Sequence, residues 1–188
     1  ALVLGEHGTS QVFVWSGVRI GGVPLARVLD VNEKDCEAFQ KKIEEEVRLY
    51  NQLFFADSQP ARLLHLRKLA LRLMQEVAAF SPYLTGAVLN GTAGEHSDIH
   101  LQLFAESAKE VEIFLINKNV DFEVSESPHF RKRDEPVEVL SFIWNDEGVH
   151  LALYEMNALR GALKSPDGKL VRADAQTLRP LINDSERT

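Results

Sequence analysis

The sequence predicts an α/β protein: a mixed sheet flanked by helices, with a strand-and-helix segment ahead of it. Three observations carry this expectation. Residues 35–50 and 63–77 place apolar side chains at helical spacing. Later runs such as "IHLQLF" (99–104) alternate apolar and polar residues with a period of two. Turn signals rich in Gly, Asn and Asp separate these runs.

In chain order, residues 3–29 hold short apolar runs broken by Gly17 and by Gly21-Gly22, which fits short strands or loops and not one long helix. Cys36, Phe39, Ile43, Val47 and Tyr50 then share one face of a helix whose other faces carry "KKIEEE". A break follows at "FADSQP", where Asp57 or Ser58 suits an N-cap and Pro60 the first turn of a second helix. Leu63, Leu66, Ala70, Leu73 and Val77 form its buried stripe, and "FSPY" ends it.

After Pro82 the period changes. "LTGAVLNG" reads as a strand, "GTAGEHSD" as a compact turn, and "IHLQLF" as a second strand with Ile99, Leu101 and Leu103 on one face and Asp98, His100 and Gln102 on the other. "ESAKEVEIFLINKN" is expected to be helical, and "VDFEV" a third strand with Asp121 and Glu123 on one face. "VEVLSFIW" and "VHLALY", joined by a four-residue loop "NDEG", predict a hairpin. The tail predicts a short helix, a Pro-Asp-Gly turn and a last helix or strand.

Composition narrows the function classes. The 188 residues are 45% hydrophobic and 26% charged, which is enough for one domain with a real core, or a domain with an appendage. A net charge of −7 argues against general nucleic-acid binding, which needs a basic surface. Cys36 is the single cysteine, so no internal disulfide or cysteine-clustered zinc site is expected. No leader and no apolar run of about 18 residues is visible, so the expectation is a cytoplasmic protein without a membrane partner. From the opening "ALVLGEHG", without an initiator methionine, a trimmed or fragmentary N-terminus is expected.

The chemistry-bearing stretch is Gly91 to His100, "GTAGEHSDIH". Alternation places Asp98 and His100 on one strand face behind a glycine turn, where two side chains can address one cation. Backbone N–H groups of the turn at Gly91 and Thr92 would then face phosphates. Magnesium on a triphosphate wants at least two acids, which makes Asp121 or Glu123 the expected further ligand; the imidazole of His100 suits zinc or manganese better. The same residues also suit a plain tight connection, with Gly91, Gly94 and Ser97 forming the turn and Asp98 bonding local backbone. His150 is a lesser candidate, either lining the pocket or bonded to a sheet neighbour. Arg131, Lys132 and Arg133, and Lys164 and Lys169, are basic loop residues that could attract phosphate or simply face solvent.

"LNGTAGEHSDIHLQLF" resembles the signature of polymerase-beta-type nucleotidyltransferases, in which a helix and a glycine step lead to Ser-Asp-hydrophobic-Asp on the next strand. Gly91 and Thr92 match the glycine step, Ser97 and Asp98 the first acid, and His100 stands where that family has its second acid. The resemblance spans residues 49–182, and its later part is similar to small bacterial nucleotidyltransferase-like proteins. It implies a nucleotidyltransferase-like α/β domain that binds a nucleoside triphosphate with Mg2+ or Mn2+. The residues involved would be Asp98, His100, Asp121 and Glu123 for chemistry, Asp98 and His100 for the metal, and Gly91, Thr92 and Ser97 for the nucleotide. Two outcomes are open: transfer of a nucleotidyl group to an unidentified acceptor, or a binding or regulatory module without turnover.

The N-terminal "VLGEHGTSQVFVWSGVRIGGVPL" resembles the catalytic-histidine segment of lactate and malate dehydrogenases, and "EAFQKKIEEEV" the helix that follows there. That resemblance makes His7 the proton donor and acceptor of hydride transfer. It stops near Arg48, without a dinucleotide fingerprint, an acid for His7 or substrate-gripping arginines, so this fragment is expected to be inactive alone. The expected organisation is a dehydrogenase-like fragment over 1–48 and a nucleotidyltransferase-like domain over 49–188. The junction falls within "KKIEEEVRLYNQLFF", in a chimeric chain of natural or artificial origin.

Overall fold

The computed structural model describes residues 2–4, 10–20, 23–31, 33–56, 58–127, 136–160 and 171–187. The chain divides into two compact units, Ala1–Tyr50 and Asn51–Thr188. In the first, strands β1 (Leu2–Leu4), β2 (Ser10–Ile20) and β3 (Val23–Val31) form an antiparallel sheet in the order β1-β2-β3. Helix α1 (Glu33–Phe54) follows and runs past the division of the units. It is longer than the 35–50 stretch marked by periodicity. His7 lies outside the described residues, as do Arg131, Lys132, Arg133, Lys164 and Lys169.

The second unit is an α/β layer built on a five-stranded mixed sheet. Helix α2 (Gln59–Glu76) starts with Pro60 in its first turn, where a missing N–H costs nothing. Its buried stripe is Leu66, Leu69, Ala70, Leu73 and Met74, joined by a buried arginine, Arg67. Ser58 occupies the N-cap position but makes no side-chain cap bond.

Strand β4 (Tyr83–Thr85) is only three residues long, and helix α3 (Gly86–Asn90) follows it directly. The expected strand over "LTGAVLNG" is therefore corrected. Gly86 at φ +72° turns the chain out of the extended region, and Gly91 at φ +83° ends the helical turn that results.

Strand β5 (Ile99–Ala105) obeys the expected alternation, with Ile99, Leu101 and Leu103 buried. Helix α4 (Ala108–Asn117) is capped by the Ser107 hydroxyl, which accepts from the Lys109 N–H. Strand β6 spans Glu123–Ser127, so Asp121 precedes it, and the expected sharing of one strand face by Asp121 and Glu123 is also corrected. Strands β7 (Val137–Trp144) and β8 (Glu147–Glu155) form the predicted hairpin. Their connection is two residues, Asn145 and Asp146, both at positive φ as a type I′ turn requires, and not a four-residue loop. A 3-10 turn (Met156–Arg160) and helix α5 (Ala175–Arg187) complete the unit, and Asp174 caps α5 by accepting from Thr177 N–H at 2.8 Å.

The sheet order is β4-β5-β8-β7-β6. The chain leaves β5 through α4, reaches the far edge at β6 and returns by two hairpins, so that β8 is inserted beside β5 and parallel to it. One sheet face carries Ile99, Leu101, Leu103, Leu140, Val149 and Leu151 and forms the main core with Leu66, Leu73, Val88, Val111, Leu115 and Leu178 from the helices. The opposite face holds a smaller cluster of Phe104, Val137, Tyr154 and Ala158 at one end. Polar residues occupy its other end. Among the described residues, no helix is long and apolar enough to cross a membrane.

Candidate functional site

The polar end of that second face is a single row across all five strands. Backbone pairing aligns Thr85 of β4 with His100 of β5, His100 with His150 of β8, His150 with Ser141 of β7, and Ser141 with Glu123 of β6. Because each pair is in register, all five side chains project to the same side of the sheet. Asp98, two residues before His100, reaches the same row from the loop leading into β5.

Three of these side chains are linked. The His150 ring places Nε2 3.1 Å from Asp98 Oδ2 and Nδ1 2.8 Å from Ser141 Oγ. A carboxylate only accepts, so Nε2–H donates to Asp98; in the neutral ring Nδ1 then accepts the Ser141 O–H. The His100 ring stacks on His150, with centroids 4.8 Å apart and planes 17° apart. Desolvation and then the neighbouring His150 push the His100 pKa below the usual histidine value, while Asp98 pulls the other way. The other side of His100 remains open to a cleft.

That cleft has a volume of about 520 Å³ and is lined by Thr85, Gly86, Ala87, His96, Ser97, Asp98 and His100. Its floor is the loop before β5, which α2 holds in place. Gln59 Nε2 donates to the carbonyls of Gly91 and Ala93 at 3.2 and 2.9 Å, and Arg62 donates to the Glu95 carbonyl at 2.8 Å. Arg62 also grips Glu147 at the start of β8 through both guanidinium NH2 groups, and His65 approaches the same carboxylate. The loop closes on itself where Gly94 N–H donates to Ser97 Oγ at 2.9 Å.

The structure thus brings together Asp98, His100 and Ser97, and adds His150 and Ser141. Gly91 and Thr92 stand outside the cleft lining. The N–H groups of Gly91, Thr92 and Ala93 all donate to Ala87 O, and Thr92 N–H and Oγ also bond Asn90 Oδ1. This turn uses its donors to end α3, so these amides do not face the cleft. Glu123 lies in the polar row but three strands from His100, about 14 Å at the usual strand spacing. Asp121 is exposed and precedes β6.

Magnesium requires hard oxygen ligands, and the row supplies one carboxylate with two imidazoles. Its next acid is Glu123, beyond reach. Among the described residues no group of three or more His, Cys, Asp or Glu is placed to hold a metal ion. Among the described residues, the donor set therefore does not fit a magnesium-bound triphosphate.

Sequence reasoning singled out Asp98 and His100 but made His150 a minor candidate and passed over Ser141. Only the alternation of "VHLALY" hinted at the face that His150 shares; nothing local marks Ser141.

No protein-family model matches the chain. Over 40 residues, 20% of the chain, it is 55% identical to the L-lactate dehydrogenase A-like 6B protein of Bos taurus, and it spans 10% of that protein's length. It is also similar to a chain in a solved structure of the GLD-2/RNP-8 complex, at 21% identity over 62% of this chain and 48% of that one, with a TM-score of 0.33. Neither likeness assigns a family, and the chemistry of the site rests on its own geometry.

Proposed function

We propose that the unit Asn51–Thr188 is a nucleotidyltransferase-like binding module that holds a nucleoside triphosphate in the cleft before β5 without transferring its nucleotidyl group. The observation that carries this reading is the Asp98–His150 bond beside the His100–His150 stack. Nucleotidyl transfer depends on acids that hold a metal on the phosphates as charge develops on the leaving group. Here a second imidazole takes up the one acid, so the site presents ring N–H groups and hydroxyls, which suit the binding of an anion better than the activation of one. His96, His100 and Ser97 supply those donors along the cleft wall, while the Thr85 hydroxyl donates to the His100 carbonyl.

The sequence resemblance over residues 49–182 favours a nucleotide as the phosphorylated ligand. Calorimetric titration with ATP, in EDTA and then with Mg2+ or Mn2+, tests both parts of the proposal. Saturable binding should persist in EDTA, His100→Ala should weaken it by about tenfold, and no pyrophosphate should appear; one lost charge-assisted bond is worth that much. Absence of binding under every condition rejects the ligand, and metal-dependent release of pyrophosphate rejects the lack of turnover.

A further inference from the structure

We propose that Ser141 is a nucleophilic hydroxyl, activated by His150 and Asp98, that takes up an acyl or phosphoryl group from small activated esters. The proposal does not depend on nucleotide binding, because Ser141 lies outside the cleft lining.

Its basis is a continuous hydrogen-bonded chain. The Ser141 hydroxyl reaches His150 Nδ1 at 2.8 Å, and His150 Nε2 reaches Asp98 at 3.1 Å. Serine is a weak nucleophile unless an adjacent base receives its proton and a third group holds that base in one tautomer. Those roles are filled here by His150 and Asp98, with the two ring nitrogens exchanged relative to the usual serine–histidine–aspartate order. The three residues come from β7, β8 and the β5 entry: antiparallel pairing sets Ser141 directly opposite His150, and Asp98 reaches the ring from the residue before β5.

Ser141 is half-buried, and its two partners are partly exposed. It stands on the sheet face opposite the helix-covered core, and the His150 and Asp98 side chains retain 32% and 45% of their surface. The His100 ring, stacked on His150, limits swinging of the imidazole away from Ser141.

With a fluorophosphonate probe the step balances simply. Ser141 Oγ forms a bond to phosphorus, the phosphorus–fluorine bond breaks, and fluoride leaves with the electron pair. The hydroxyl proton passes to His150 Nδ1, and the carboxylate of Asp98 stabilises the resulting imidazolium. With a carboxylic ester the same attack forms an acyl-serine and releases the alcohol portion.

The experiment is fluorophosphonate labelling of the full chain, read by mass spectrometry of the peptide that carries Ser141. Labelling of Ser141 is expected, with its rate reduced about 100-fold in His150→Gln and substantially reduced in Asp98→Asn, the range that general-base assistance supplies. Circular dichroism establishes that each variant is folded, and Ser141→Ala must remove the adduct. Absence of an adduct at Ser141 in the native chain overturns the proposal. So does labelling that persists at the native rate in folded His150→Gln and Asp98→Asn, since that would be an unassisted surface serine.

Discussion

The Asp98 carboxylate occupies the space that a side chain on Gly148 would need: a Cβ at Gly148 would lie 2.2 Å from Asp98 Oδ1 and 2.7 Å from its Cγ. Gly148 is the second residue of β8, two before His150, so the strand gives Asp98 both its seat and its hydrogen-bond partner. The clash falls on the far end of a half-exposed side chain, which can rotate away at little cost. Gly148→Ala is therefore expected to leave stability within about 1 kcal/mol of the native value, since Ala is otherwise no worse than Gly in a strand. It should nonetheless break the Asp98–His150 bond. Urea unfolding alongside histidine ring NMR separates these effects; an unchanged His150 Nε2 proton signal would show that Asp98 keeps its place.

His100 makes stability depend on pH in a stated direction. Its folded-state pKa is lowered by desolvation and by His150, so the unfolded chain binds the proton more readily. The stabilising contribution is complete above the unfolded value of about 6.5 and is lost as pH falls from there through the depressed folded value. Thermal unfolding from about pH 8 to about pH 5 should show a decline below about 6.5 that is shallower in His100→Gln. Equal slopes in the two proteins would mean that the fold does not disfavour protonation of His100.

These relationships explain how far the sequence could be read. The face of β5 was legible because Ile99, Leu101 and Leu103 alternate with polar residues on a strand buried on one side. The α2 stripe and the β7–β8 hairpin were legible for the same local reason. α3 was not, because five residues of "GAVLN" are too short to show a helical period and nothing in the letters marks Gly86 as left-handed. The neighbour of β5 was also hidden. Asp121 or Glu123 was expected as a further ligand beside Asp98 because a magnesium site needs a second acid, and β6 is the next strand in sequence. The return through two hairpins instead inserts β8 there, and parallel pairing 50 residues apart puts His150 beside His100. Register between distant strands is a tertiary outcome with no local signature.

Arg67 provides a test of the scaffold beneath the cleft. It is 8% exposed and donates to the carbonyls of Val88 and Leu89 at 3.1 and 3.2 Å and to Ser185 Oγ at 3.2 Å, tying α2, the end of α3 and α5 together. Burial pushes its pKa below the usual arginine value. Arg67→Met keeps much of the volume but leaves buried α3 carbonyls without donors, which is expected to cost about 2–4 kcal/mol. Arg67→Lys should recover little of this, since one ammonium cannot span the separate acceptors. Denaturant unfolding checks both; full rescue by Lys would mean that charge, and not the planar fork, is what the site needs.

The clamp between Arg62 and Glu147 yields the last prediction, because it couples α2 to both sides of the site. Arg62 holds the Glu95 carbonyl in the loop before Asp98 and, through Glu147, the strand entry before His150. Hydrogen bonding to Arg62 lowers the Glu147 pKa, and His65 adds to that effect while burial opposes it. A depressed carboxylate stabilises the fold above its unfolded pKa of about 4.3 and loses that contribution as pH falls through the folded value. Glu147→Gln should therefore cost about 1–3 kcal/mol at neutral pH and progressively less in acid. Unfolding measured at about pH 7 and below about pH 4 tests the sign: a penalty that stays constant between them would show that the ion pair is not what holds the loop to β8.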